Sequence, residues 1–228
     1  MKIKSRKEKL DEYNRAYPNR NYDWESALIE YFKSRKWNYE KSAQKALTKL
    51  KAIIKERKFH TIKFVMYEYP MKTDRPRTFR GHTFSPNAAA NHEYFEKAVR
   101  KIIKKIKLIT TPATITINAY MEMPKNVKPD EVILFELGVL NPVTTPDYDN
   151  IGKCYTDIQK NTMISDDDIF FRGTVEKFYS VIPRVEILIT FLEKHESEYI
   201  MKKLKTRKSI KELIDQGYVS LELIDYKG

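Results

Sequence analysis

Hydrophobic and polar positions change period twice along the chain. Near the N-terminus, Ala27, Leu28, Tyr31 and Phe32 recur at helical spacing after Asp23, and Ala43, Ala46, Leu47, Leu50, Ile53 and Ile54 continue that spacing. Apolar residues three and four apart line one side of a helix, so residues 1–58 read as a helical hairpin. From His60 the period becomes two. Ile62, Phe64, Met66 and Glu68 alternate with Lys63, Val65, Tyr67 and Tyr69 until Pro70 stops the strand. A loop over 70–86 precedes a helix over 87–107, whose inner face carries Phe95, Val99, Ile102, Ile103 and Ile106. Alternation of Ala113, Ile115, Ile117, Ala119 and Met121 marks the next strand, and Pro129 and Gly138 bracket a short helix. A helix from Asp147 to about 161 and two strands, 170–182 and 184–192, complete the module.

The predicted order is β-α-β-α-α-β-β, an α+β (α/β) fold with a mixed sheet. Three segments follow: a basic helical extension at 1–58, a central domain at 59–192, and an extension at 193–228. The last holds one or two charged helices and a strand at about 219–226. At 228 residues the chain is long enough for a core without metals or disulfides. A single cysteine, Cys154, points to a reducing, cytoplasmic setting, and no stretch has the length and apolarity of a membrane span. Glycine patterns for dinucleotides or nucleoside triphosphates are missing, so no nucleotide cofactor is expected.

Charge adds a direction. The net charge is +12, and residues 1–58 carry 17 Lys/Arg against 8 Asp/Glu, a balance of +9. Such a face serves either as a solvated helix surface or as a nucleic-acid surface. Further bases, Lys72, Arg75, Arg77 and Arg80, punctuate the 70–86 loop and are candidates, with Lys177, for DNA backbone contacts.

Acids gather, in this basic chain, between 147 and 168. Asp147 and Asp149 straddle a loop-to-helix junction, and Asp166, Asp167 and Asp168 lie where the chain returns to a strand. Clustered carboxylates suit Mg²⁺, which takes hard oxygen ligands and leaves positions for water and phosphate. Lys153, four residues after Asp149, shares its helix face and can reach a phosphate, and Asn150 adds a neutral polar contact. Structural readings fit the spacing as well: an Asp149–Lys153 surface pair, Asp147 or Asp149 as a helix cap, Asp166–Asp168 as a solvated turn, and Asp157 as a surface or outlying acid.

The string Pro146-Asp147-Tyr148-Asp149-Asn150-Ile151-Gly152-Lys153, then Asp157, Asp166-Asp167-Asp168-Ile169-Phe170 and Val175-Glu176-Lys177, resembles the RusA family of Holliday junction resolvases. The likeness covers about 60–192, including the Arg75-Pro76-Arg77 loop. It departs from the family at Ile158-Gln159-Lys160 and in the helical insert at 129–138. The resemblance implies a homodimeric, Mg²⁺-dependent endonuclease of phage or prophage type, with Mn²⁺ as a substitute ion, that cuts four-way DNA by symmetrical paired nicks in recombination and repair. Carried across by position, Asp147, Asp149 and Asp167 are the metal-binding carboxylates and Lys153 the essential lysine. The triple acid leaves Asp166 and Asp168 as alternatives to Asp167.

Overall fold

The computed structural model describes residues 24–72, 77–79, 82–84, 87–103 and 108–206. Two compact units divide between Glu56 and Arg57. The first holds helices α1 (Trp24–Ser34) and α2 (Tyr39–Glu56). Their hinge is filled by aromatic rings: Phe32 meets Trp37 at 5.7 Å and Tyr39 at 5.5 Å, both edge-on. No residue of α2 is buried, and Leu47, Leu50 and Ile54 lie exposed along it.

In the second unit β1 (Phe59–Met66), β4 (Ala113–Glu122), β5 (Phe170–Ser180) and β6 (Arg184–Leu192) form one sheet in the order β1-β6-β4-β5. Only the β4–β5 pair is parallel. A parallel neighbour requires a crossover, and the segment between β4 and β5 supplies it with α4 (Pro129–Glu136) and α5 (Tyr148–Asp157). Helix α3 (Ala88–Ile103) precedes β4, and α6 (Glu198–Thr206) follows the sheet. The content is α+β, as the periodicity predicts.

Strict alternation decides which face is covered. Ala113, Ile115, Ile117, Ala119 and Met121 of β4 are buried, as are Val185, Ile187, Ile189 and Phe191 of β6. They meet Phe95 and Val99 from α3, Ile151, Cys154 and Tyr155 from α5, and Ile158 just after it, in one core. Each Ile, Val, Phe or Met side chain taken fully out of water contributes about 1.5–3 kcal/mol, so this face anchors α5. On the other face Tyr120 stacks on Phe178 at 5.0 Å, and the Arg184 guanidinium sits 3.5 Å from the Tyr120 ring centre.

Three local expectations are corrected. The 70–86 loop contains a two-stranded ribbon, β2 (Arg77–Phe79) and β3 (His82–Phe84), too short to show a period. Helix α5 stops at Asp157 rather than about 161, because the chain turns there and Asn161 adopts a left-handed φ of 59°. Strand β5 ends at Ser180. The strand expected at about 219–226 and the helix positions 104–107 lie outside the described residues.

Gly152 fixes how closely α5 approaches the sheet. A Cβ built there would stand 2.9 Å from Val175 Cγ2 on β5. Valine is stiff at χ1 and cannot swing aside cheaply. Gly152→Leu is therefore expected to destabilise the protein by about 3 kcal/mol, with Val175→Ala in the same chain recovering part of it; thermal unfolding of the single and double variants measures both.

Candidate active site

Helix α5 carries the site, and its N-terminal entry is built from outside the helix. Lys177, near the end of β5, donates from its ammonium to the carbonyl oxygens of Thr144 at 2.6 Å and Pro146 at 2.9 Å. Tyr179, two residues on and on the same face of β5, hydrogen-bonds the Thr144 hydroxyl. These contacts hold the loop just before Asp147. Glu136 of α4 accepts from Ser180 Oγ at 3.3 Å and from the Val181 backbone N–H, and Phe135 packs edge-on against Tyr179 at 5.1 Å. The whole crossover is thereby clamped to one end of β5.

Asp147 occupies the residue before the first helical turn, with φ −67° and ψ 147°, but its side chain makes no capping bond. Among the described residues its Oδ2 receives only a long contact, 3.5 Å, from Asn150 Nδ2. Asp149 in the first turn is exposed, and so is Lys153 one turn later. Asp149 and Lys153 form no ion pair with each other or with another described residue. The capping and surface-pair readings of these residues are thus not realised. Two carboxylates stand open to solvent at the positive end of a helix dipole, which moderates the repulsion between them, and the Lys153 ammonium is exposed one turn on.

The other acids collect at the far end of α5. After Asp157 the chain turns through Asn161 and bridges Ile164 to Ile109 before reaching Asp166. Asp166 Oδ1 accepts from the Asp167 backbone N–H at 3.0 Å and starts the 3₁₀ turn Asp167–Ile169 that leads into β5. Lys160 stands among these groups, its Nζ 3.4 Å from Asp157, 3.3 Å from Asp166 and 2.9 Å from Asp167. Asp157, an outlying acid by sequence, belongs to this cluster. Asp168 lines a cavity of about 240 Å³ with Thr110, Pro112, Phe171 and Ile200. Asp166 and Asp167 therefore share one environment and Asp168 another.

Electrostatics follow from the geometry. For Lys160, partial burial disfavours the ammonium, but hydrogen bonds to Asp167 and Asp166 outweigh it and raise the pKa above the ordinary lysine value. For Asp166, burial works against ionisation, yet bonding from Asp167 and Lys160 wins and holds the carboxyl below its ordinary value. A group depressed on folding adds stability above its unfolded pKa and loses it as pH falls through the folded one. Asp166→Ala should thus lower the unfolding midpoint at neutral pH, with the lost turn cap worth about 1 kcal/mol. That gap from wild type should close as the pH drops below the ordinary aspartate value of 3.8, as melting curves across pH 2–7 will show.

Deeper in, burial keeps the Tyr155 phenol neutral well above ordinary tyrosine values; its oxygen accepts from the Met71 N–H at 3.0 Å and donates to Glu68 at 3.4 Å. Glu68 is itself raised by burial, against hydrogen bonds from Tyr94 and Tyr155. This network ties α5 to the residues after β1.

Among the described residues no three His, Cys, Asp or Glu side chains stand together as a ready metal cage. Asp147 and Asp149 lie at one end of α5 and Asp167 lies with Lys160 beyond the other. The donor set nonetheless fits Mg²⁺: the carboxylates are hard oxygen ligands, and that ion commonly takes only one or two from protein and the rest from water and phosphate. Of the DNA-backbone candidates, Lys72 is exposed, while Lys177 spends its ammonium on loop carbonyls. Arg75 and Arg80 lie outside the described residues, and for Arg77 only the backbone, in β2, is described. Sequence reasoning missed Lys160 as part of the site; its only local signal was the spacing of three from Asp157.

A mixed α+β domain that presents open carboxylates and a lysine at a helix N-terminus, within a basic chain, has the equipment of a phosphodiester-cleaving enzyme. The sequence matches the family described as Endodeoxyribonuclease RusA over residues 68–190, and the chain belongs to that family. Membership implies endodeoxyribonuclease chemistry directed at branched DNA. The chain is also similar to YqaN of Bacillus subtilis strain 168, with 34% identity over 136 residues that span 56% of this chain and 94% of the relative. Among the described residues no helix is long and apolar enough to cross a membrane.

Proposed function

We propose that the protein is a Mg²⁺-dependent endonuclease that resolves four-way DNA junctions by symmetrical paired nicks, acting as a homodimer in the cytoplasm in phage or prophage recombination and repair. The observation that carries this reading is the open pair Asp147 and Asp149 with the unpaired Lys153 one turn on, in a chain of the RusA family. When bound, the metal, Mg²⁺ or Mn²⁺, supplies a polarised water and stabilises charge on the phosphate.

The residues divide the remaining work. Asp147 and Asp149 bind the cation, and Asp167, the third acid that the family pattern assigns to it, stands with Lys160 beyond the other end of α5. Lys153 directs positive charge at the scissile phosphate and the departing oxygen. Asn150 steadies the Asp147 carboxylate. Lys177 holds the loop that aims Asp147, a positioning task. Lys72, Arg75, Arg77 and Arg80 contact phosphates of the DNA arms, which supplies affinity without sequence readout. A four-way junction has approximate twofold symmetry and needs cuts on two opposed strands, which an isologous dimer with two sites provides.

A panel of end-labelled four-way, flap, splayed and linear duplex DNA at equal concentration tests the substrate class. The four-way junction is expected to be cut at least about tenfold faster than the others. Equal rates on flap and junction would show a broader branched-DNA nuclease, and tight junction binding with no cutting in Mg²⁺ or Mn²⁺ would show a binding protein on a nuclease fold.

A further inference from the structure

The two helices of the first unit carry an apolar face that they do not cover for each other. Along α2, Tyr39, Ala43, Ala46, Leu50 and Ile53 recur four and three residues apart, the spacing of a seam between packed helices, and Leu47 and Ile54 widen it. Helices in proteins draw most of their stability from packing such a face. Yet no residue of α2 is buried, and Leu47, Leu50 and Ile54 are 58%, 49% and 67% exposed. With Leu28 and Phe32 of α1 the seam lines an open groove of about 740 Å³, and Lys49 stands on its wall.

The shape asks for helices, and the charges say which. An apolar floor is a poor seat for DNA phosphates, which lose their water there without gaining partners. Helix α1 carries Glu25 and Glu30 against Lys33, a balance of −1, whereas α2 carries Lys41, Lys45, Lys49, Lys51 and Lys55 against Glu40 and Glu56, a balance of +3. A second hairpin laid on the first sets the acidic helix of each copy beside the basic helix of the other, and twofold symmetry makes that match twice. We propose that this hairpin binds the same hairpin of a second copy, closing a four-helix bundle around the seam. The inference rests on the reading of the protein as a homodimer, and it gives that dimer an interface outside the segment 68–190 that matches the family.

Sedimentation equilibrium of the full-length, DNA-free protein tests it. Leu47→Glu and Leu50→Glu place a charge in the groove, while Ala52→Glu adds the same charge at an exposed position on the opposite side of α2. Circular dichroism verifies that each variant keeps its helices. The dimer dissociation constant is expected to rise at least about 30-fold in both groove variants and to stay within about threefold for Ala52→Glu. A nitroxide on Lys45→Cys reports the same contact by double electron–electron resonance, because the native Cys154 is buried and escapes the label. Two hairpins in one bundle give a narrow distance below about 40 Å, lost on adding Leu50→Glu. A wild-type dimer whose dissociation constant and label distance are unchanged in the groove variants would overturn the hairpin interface alone, leaving a dimer held elsewhere. A wild type that stays monomeric up to about 100 μM would overturn the homodimer reading as well.

Discussion

Asp149→Asn is expected to lower junction cleavage by at least about 10³-fold, roughly 4 kcal/mol of transition-state stabilisation. The side chain is exposed in the first turn of α5 and joined to no ion pair, so neutralising it removes a metal-directed charge without breaking a structural contact. Stability should stay within about 0.5 kcal/mol of wild type, the range of surface changes that touch no packed feature. Binding of the junction should hold or tighten, because a negative charge near phosphate disappears. Single-turnover cleavage, melting curves and a binding titration on the same preparations separate these effects. Asp168→Asn is the control: it removes an acid close in sequence that lines a separate cavity with Thr110, Pro112 and Phe171, and cleavage should change by less than about threefold. A large loss for Asp168→Asn and a small one for Asp167→Asn would move the third ligand by one residue.

Lys177→Met is expected to reduce the cleavage rate by about 10²-fold through misplacement of Asp147. The Lys177 ammonium bonds the Thr144 and Pro146 carbonyls, the second of them adjacent to Asp147, and the variant leaves both oxygens without that donor. A lysine bound to a DNA phosphate makes a different forecast. Removing it would weaken junction binding and reduce the slope of log affinity against log salt by about 0.9. The positioning role predicts an unchanged slope with a slower chemical step, and Lys177→Arg should recover part of the rate because it keeps two or more donors in reach. A lost slope with a normal single-turnover rate would assign Lys177 to the DNA.

Features that depend on neighbours in sequence were legible in the sequence. Alternation placed Phe64 and Met66 of β1 and the odd positions of β4 in the core because strand side chains repeat every two residues, and these residues are buried. The short helix α4 follows from Pro129 at its first position and Gly138 at a φ of 69° after its end. The pair Asp147 and Asp149 is legible because a single loop-to-helix junction sets both. Contacts that close over distance were not. Lys177 reaches back more than thirty residues to the Asp147 loop, and only the β5 register shows that it can. Lys160 looked like one more helical lysine; its three acids assemble because α5 ends early and the chain turns back through Asn161. Whether Asp149 and Lys153 pair, or Asp147 caps, is a matter of side-chain direction, which residue spacing leaves undetermined.

The most direct measurement is cleavage of an immobile four-way junction, labelled on each strand in turn, by the wild-type protein in Mg²⁺ and in EDTA. Nicks at symmetry-related positions on two opposed strands, present with Mg²⁺ and abolished by EDTA, are the predicted result. Cleavage that persists in EDTA, or falls on one strand only, would contradict a metal-dependent paired resolvase.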